Sequence, residues 1–125
     1  MTEVFRVAAE PAADVIRKIA DVIHRNGVVL MPTDTIYGLH ALATSETAIA
    51  RVAALKKREE GKPFVVLGAS MSQFETIGIE FPDRTRRILD ELWPGPLTAI
   101  LPLNKTIAAG RGAKSLAVRV PDLQW

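Results

Sequence analysis

Three observations place this sequence in the α/β class with a mixed sheet. Apolar stripes at helical spacing alternate along the chain with short continuous apolar runs. Capping and helix-breaking residues mark the boundaries between them. The composition, 48% hydrophobic and 24% charged over 125 residues, suits a globular chain with a single core. One domain over residues 1–125 is therefore expected.

The elements follow in order. Residues 4–7 read as a short strand. Pro11 suits the first turn of a helix, where a missing N–H costs nothing. Val15, Ile16, Ile19, Val22 and Ile23 form an apolar stripe. Asn26-Gly27 ends that helix, with Gly27 as the expected left-handed cap. Residues 28–31 are continuously apolar, as for a strand covered on both faces. Thr44 or Ser45 can cap a second helix, whose inward line runs Ile49, Val52, Ala53 and then Lys56. Residues 64–67 read as another buried strand, and Ser70 can cap a short helix to about Ile77. Pro82 and Asp83 open a longer helix with Ile88, Leu89 and Leu92 on its core face. Trp93-Pro94-Gly95-Pro96 is a stiff loop. Residues 97–101 and 116–120 are the last strands, joined by a basic loop containing glycine.

Charge and composition narrow the chemistry. The net charge is +2, and the chain has no cysteine, which excludes thiolate catalysis, disulfides and Cys-ligated zinc. From residue 103 onward Lys105, Arg111, Lys114 and Arg119 stand against Asp122 alone, which suits a phosphate-bearing ligand or RNA as well as it suits solvated loops. No apolar run reaches a membrane span and no signal pattern opens the chain, so the expected location is cytoplasmic. His24 and His40 are isolated, and no metal site is predicted. The sequence contains no GxxxxGK[ST], GxGxxG or HExxH motif.

Two segments carry the functional signal. In Pro32-Thr33-Asp34-Thr35-Ile36-Tyr37-Gly38-Leu39, two hydroxyls and a carboxylate follow a strand, where α/β sheets bind ligands. Thr35 can bond an amino-acid ligand and Tyr37 can supply a flat wall. A plain turn relieved by Gly38 explains the same residues equally well. In Lys56-Lys57-Arg58-Glu59-Glu60-Gly61-Lys62-Pro63, cations leave a helix end before a proline. Arginine offers a fork for phosphate and lysine a mobile charge. Cations at a helix C-terminus also complement its dipole, and Lys57 is read that way. The inward line of Lys56 favours function for Lys56 and Arg58, with Arg58 outside the core. Trp93 is read as a core residue, and Arg84, Arg86 and Arg87 as solvated.

With those motifs assembled, residues 13–122 resemble the YrdC-like family of threonylcarbamoyl-adenylate synthases. The resemblance rests on the Pro32–Leu39 segment, Lys56-x-Arg58 with Lys62-Pro63, Trp93-Pro-Gly-Pro-Leu-Thr98, and Ser115-Leu-Ala-Val-Arg-Val-Pro121, in order and at fitting spacing. It implies a twisted, open mixed sheet flanked by helices. It implies that L-threonine and bicarbonate give a carbamate that attacks the α-phosphorus of ATP, for modification of a tRNA adenosine. Thr35 and Arg119 would then bind threonine, while Arg58, Lys62 and Ser115 would bind ATP. Lys56 and Arg58 would stabilise charge in the reaction, and magnesium could accompany the ATP. Leu67 stands where many members have histidine. The family's Ser-x-Asn signature beyond the Arg-x-Pro strand is not in this sequence, so a domain lacking the family's C-terminal part, impaired activity and a homo-oligomer are expected. The alternative is a non-catalytic module of the same fold that binds tRNA or double-stranded RNA. A carbamoyl-transfer maturation domain shares the sheet but sits in much longer chains.

Overall fold

The computed structural model describes residues 2–7 and 10–123. The elements are α1 (Ala13–His24), β1 (Val29–Pro32), β2 (Tyr37–His40), α2 (Glu46–Lys56), β3 (Val66–Leu67), α3 (Met71–Thr76), α4 (Asp83–Leu92), β4 (Ala99–Pro102), a 3-10 turn (Ala108–Gly110) and β5 (Ser115–Arg119). β1 and β2 form an antiparallel hairpin. The second sheet has the order β3-β5-β4, with β3 parallel and β4 antiparallel to the central β5. The expected mixed sheet is therefore this three-stranded one, and the hairpin stands apart from its ladder. No helix of the described residues is long and apolar enough to cross a membrane.

Local chemistry explains most boundaries. The Ser45 hydroxyl accepts from the Ala48 N–H at 3.1 Å and caps α2. The Ser70 hydroxyl does the same for α3 through Gln73 N–H. α2 closes with Lys57 in the left-handed region and Arg58 N–H on the Ala53 carbonyl, the pattern of a Schellman stop. At the end of α1 the left-handed residue is Asn26, at φ 62°, and not Gly27 as expected. Asn tolerates that conformation. Gly27 is required for a different reason: a Cβ there would lie 2.5 Å from Val22 Cγ1.

The core lies on one face of the three-stranded sheet. Along β5, Leu116 and Val118 are buried while Ser115, Ala117 and Arg119 point the other way, the period of two of a strand. Phe74 and Leu116 are 1% exposed and Val118 is 0% exposed. Trp93 packs on Phe74 and edge-on to Phe81, and its indole N–H donates to the Leu97 carbonyl at 2.7 Å. The core reading of Trp93 therefore holds.

Several expectations need correction. Residues 4–7 are not in a strand. Pro11 precedes the helix cap at Ala12 rather than sitting in the first turn. The strand expected over residues 28–31 is not covered on both faces: Leu30 is 66% exposed, because β1 belongs to a two-stranded ribbon. The strand expected over 64–67 is confined to Val66–Leu67, with Val65 exposed. On α4, Leu89 is buried but Ile88 and Leu92 are half exposed. Arg86 is not simply solvated, since it pairs with Glu75 and lies over the Phe81 ring.

Because Phe74 joins α3 to the aromatic cluster and to the sheet, Phe74→Ala is expected to lower stability by about 3–5 kcal/mol. Urea unfolding followed by tryptophan fluorescence checks this.

Candidate active site

The turn between β1 and β2 is built by its own hydroxyls. Thr33 Oγ1 donates to the Ile36 carbonyl at 2.9 Å and accepts from the Thr35 N–H at 3.3 Å. Thr33 N–H also reaches the Ile36 carbonyl, and the two threonine hydroxyls are 3.1 Å apart. The segment is therefore a turn, and its two hydroxyls converge. Gly38 does not relieve the turn. It sits within β2, with no positive φ.

Arg119 reaches this turn from the other sheet. The alternation along β5 that buries Leu116 and Val118 sends Arg119 to the opposite face. Its Nη2 donates to Thr35 Oγ1 at 3.3 Å and to Thr33 Oγ1 at 3.5 Å. It also lies 3.0 Å from Asp34 Oδ1, with the two side chains only 13% and 8% exposed. Asp34 Oδ2 in turn accepts from the Asp122 N–H at 3.0 Å. Asp34 Oδ1 has no aligned hydrogen bond, so its contact with Arg119 is an ion pair rather than a directed donor–acceptor contact. Arg119 Nε is buried without a partner.

A cavity of about 680 Å³ opens beside this cluster, between the hairpin and β3. Thr33, His40 and Gln73 bring polar groups to a wall that is otherwise mostly apolar, with Met31, Val66 and Phe74 among its residues. His40, isolated in the sequence, lies in this wall. Burial holds its imidazole below the ordinary value of 6.5, and a hydrogen bond to the Met31 backbone offsets part of that effect. His40 Nε2 is buried without a partner.

The cations form a second group. The loop leading into β3 lies at the start of the parallel β3–β5 pair, where Ser115 also sits, whereas Arg119 is at its far end. At strand rise, Ser115 and Arg119 are about 13 Å apart. Arg58 Nη2 donates to the Pro63 carbonyl at 2.7 Å and its Nε to that of Lys62 at 3.4 Å. Arg111 donates to the Glu59 and Lys62 carbonyls, and both guanidinium groups lie over the Phe64 ring at 4.8 and 5.7 Å. Lys62 pairs with Glu59 at 2.6 Å. The structure therefore unites Thr35 with Arg119, groups Arg58 and Lys62 in one loop, and keeps Ser115 exposed at the near end of β5. Lys56 is exposed at the last residue of α2, rather than buried like Ile49 and Val52 on the same line, and it has no ion pair among the described residues.

Thr33, Asp34, His40 and Arg111 were not assigned from sequence. Asp34 carried a signal, as a carboxylate set between two threonines. Arg111 carried none beyond the basic character of its loop.

The family model of Sua5, YciO and YrdC proteins, described as telomere recombination, matches residues 21–125. The chain belongs to the Sua5/YciO/YrdC family. It is similar to the threonylcarbamoyl-AMP synthase of Pyrococcus abyssi, 35% identical over 108 residues that make up 85% of this chain and 32% of that protein. The threonylcarbamoyl-AMP synthase of Neisseria gonorrhoeae is 33% identical over 115 residues, 89% of this chain and 60% of that protein. The solved structure of P. abyssi Sua5 complexed with L-threonine superposes with a TM-score of 0.83 at 33% identity, covering 90% of this chain and 34% of that one. The chain thus spans between about a third and three-fifths of the length of these relatives. The expected family and its open α/β sheet are borne out.

Unfolding returns His40 to 6.5, so the unfolded chain takes up the proton more readily. The stability contributed by neutral His40 is complete above pH 6.5 and is lost as the pH falls below it through the folded-state value. Melting temperature should therefore drop on acidification from about pH 7.5 to about pH 5.5, and His40→Gln should flatten that slope. Arg58 is half-buried and engaged with the backbone, contrary to its expected place outside the fold's support. Arg58→Ala should lower stability by about 1–2 kcal/mol and speed amide exchange across residues 59–63, as followed by hydrogen-exchange mass spectrometry.

Proposed function

We propose that this domain carries out threonylcarbamoyl-adenylate formation for tRNA modification. The observation that carries the reading is the Arg119 guanidinium held on the hydroxyls of Thr33 and Thr35 beside a cavity. An arginine fork next to two hydroxyls suits a small hydroxylated amino acid, the carboxylate going to Arg119 and the hydroxyl to Thr35. The similarity to proteins named threonylcarbamoyl-AMP synthase, and to a Sua5 structure with L-threonine, supports the same assignment.

The reaction needs positioning and cations rather than a protein nucleophile. The amine of threonine takes up the carbon of bicarbonate or carbon dioxide, with loss of water in the first case. The resulting carbamate oxygen forms a bond to the α-phosphorus of ATP, and the bond to pyrophosphate breaks. Lys56, Arg58 and Lys62 supply positive charge for the phosphates, and Ser115 contacts the nucleotide at the near end of β5. The separation of about 13 Å between Ser115 and Arg119 suits an amino acid at one end and a nucleotide at the other. Magnesium would arrive on the ATP phosphates. Transfer of the threonylcarbamoyl group from the adenylate to the tRNA adenosine, with release of AMP, would follow in a later step.

Pyrophosphate release from ATP should require threonine and bicarbonate together. Thr35→Val should raise the KM for threonine about tenfold or more while leaving that for ATP within about twofold, because a ligand polar group loses its partner. Equal loss of both, or RNA binding without threonine-dependent release, would refute the assignment and favour a binding module.

A further inference from the structure

Arg119 is a poor discriminator on its own. A guanidinium binds phosphate oxygens at least as well as a carboxylate. The reading above brings a triphosphate into the same site and releases pyrophosphate there. An unmodified cation at Arg119 would be filled by either.

Asp34 removes that freedom. Its carboxylate lies 3.0 Å from Arg119 Nη2 in a pair that is 13% and 8% exposed, so the two charges offset each other with little solvent screening. It does not swing away, because its second oxygen is held by the Asp122 N–H at 3.0 Å. Nη2 is occupied by the turn, Nε is buried without a partner, and Nη1 makes no hydrogen bond among the described residues. What remains is a directed donor beside a neutralised charge. That combination suits a monoanionic carboxylate and opposes a multiply charged phosphate, which would be brought close to the Asp34 carboxylate.

We infer that Asp34 is a specificity-determining residue, the fixed counter-ion that keeps phosphate and pyrophosphate off Arg119 and reserves it for an amino-acid carboxylate. The inference rests on the reading of Arg119 as the carboxylate-binding residue. Asp34 itself acts through Arg119 and the turn; it does not take part in bond making.

The test is calorimetric titration of the full chain with inorganic phosphate, pyrophosphate and threonine. Asp34→Asn preserves the acceptor for the Asp122 N–H and removes the charge. It should bind phosphate and pyrophosphate about tenfold more tightly than the unmodified protein, and these anions should then compete with threonine. In the double variant Asp34→Asn with Arg119→Met the gain should vanish. A gain in both, or no gain in Asp34→Asn, overturns the inference. If thermal melts show that Asp34→Asn does not fold, Asp34→Ser is titrated in its place and judged by the same outcomes. Failure of the unmodified protein to bind threonine overturns the threonine reading, while the phosphate titrations still decide the role of Asp34.

Discussion

The bridge from Arg119 to the turn of the hairpin is the constraint on which the candidate site depends. The hairpin and the three-stranded sheet share no ladder, so hydrogen-bonded strands do not fix their relative placement. Side chains do this work at the site. Arg119 joins β5 to Thr33, Asp34 and Thr35, and Asp34 joins the turn to the backbone at Asp122. A buried ion pair is costly to break from one side, because the remaining charge keeps its desolvation cost. The contacts that shape the candidate site are therefore also ones that tie one sheet to the other.

The position of Arg119 follows from ordinary packing. Leu116 and Val118 are buried because β5 is the central strand and one of its faces meets the aromatic cluster of Phe74, Phe81 and Trp93. A strand that buries every second side chain must present the others on its opposite face. Shifting β5 by one residue would exchange Val118 for Arg119 in the core, so the hydrophobic pattern fixes the guanidinium as firmly as any polar contact does. The polar site is a by-product of apolar register.

Features set by a few neighbouring residues were legible in the sequence. Ser45 and Ser70 announced their helices because an N-cap needs one hydroxyl and a donor three residues on. The pairing of Thr35 with Arg119 was within reach through family motifs, but neither spacing nor composition links residues so far apart. What failed was inference from continuous apolarity. Residues 28–31 look like a strand buried on both faces, yet whether a second layer covers Leu30 depends on tertiary neighbours. Lys56 shows a related limit: it continues the helical spacing of Ile49 and Val52, yet at the last residue of α2 it is exposed, where a cation costs no desolvation. Asn26 carries the left-handed φ expected of Gly27, because the need for φ > 0 and the need for no Cβ beside Val22 fall on different residues, and the dipeptide alone does not say which need falls where.

The cation loop shows how charge can be committed to structure before any ligand arrives. Arg58 and Arg111 both lie on Phe64 and both donate to carbonyls of residues 59–63. Backbone oxygens satisfy their donors without cancelling their charge, so each guanidinium keeps its positive field while its position is fixed. A cation neutralised by a carboxylate would lose that field, as Arg119 does beside Asp34. The two ends of β5 thus hold arginines in opposite electrostatic states. At one end the charge is held by neutral carbonyls and keeps its field; at the other it is offset by a carboxylate that is only 8% exposed and leaves mainly the geometry of its donors. Which acceptor holds each guanidinium, rather than the number of cations, distinguishes the two ends of the candidate site.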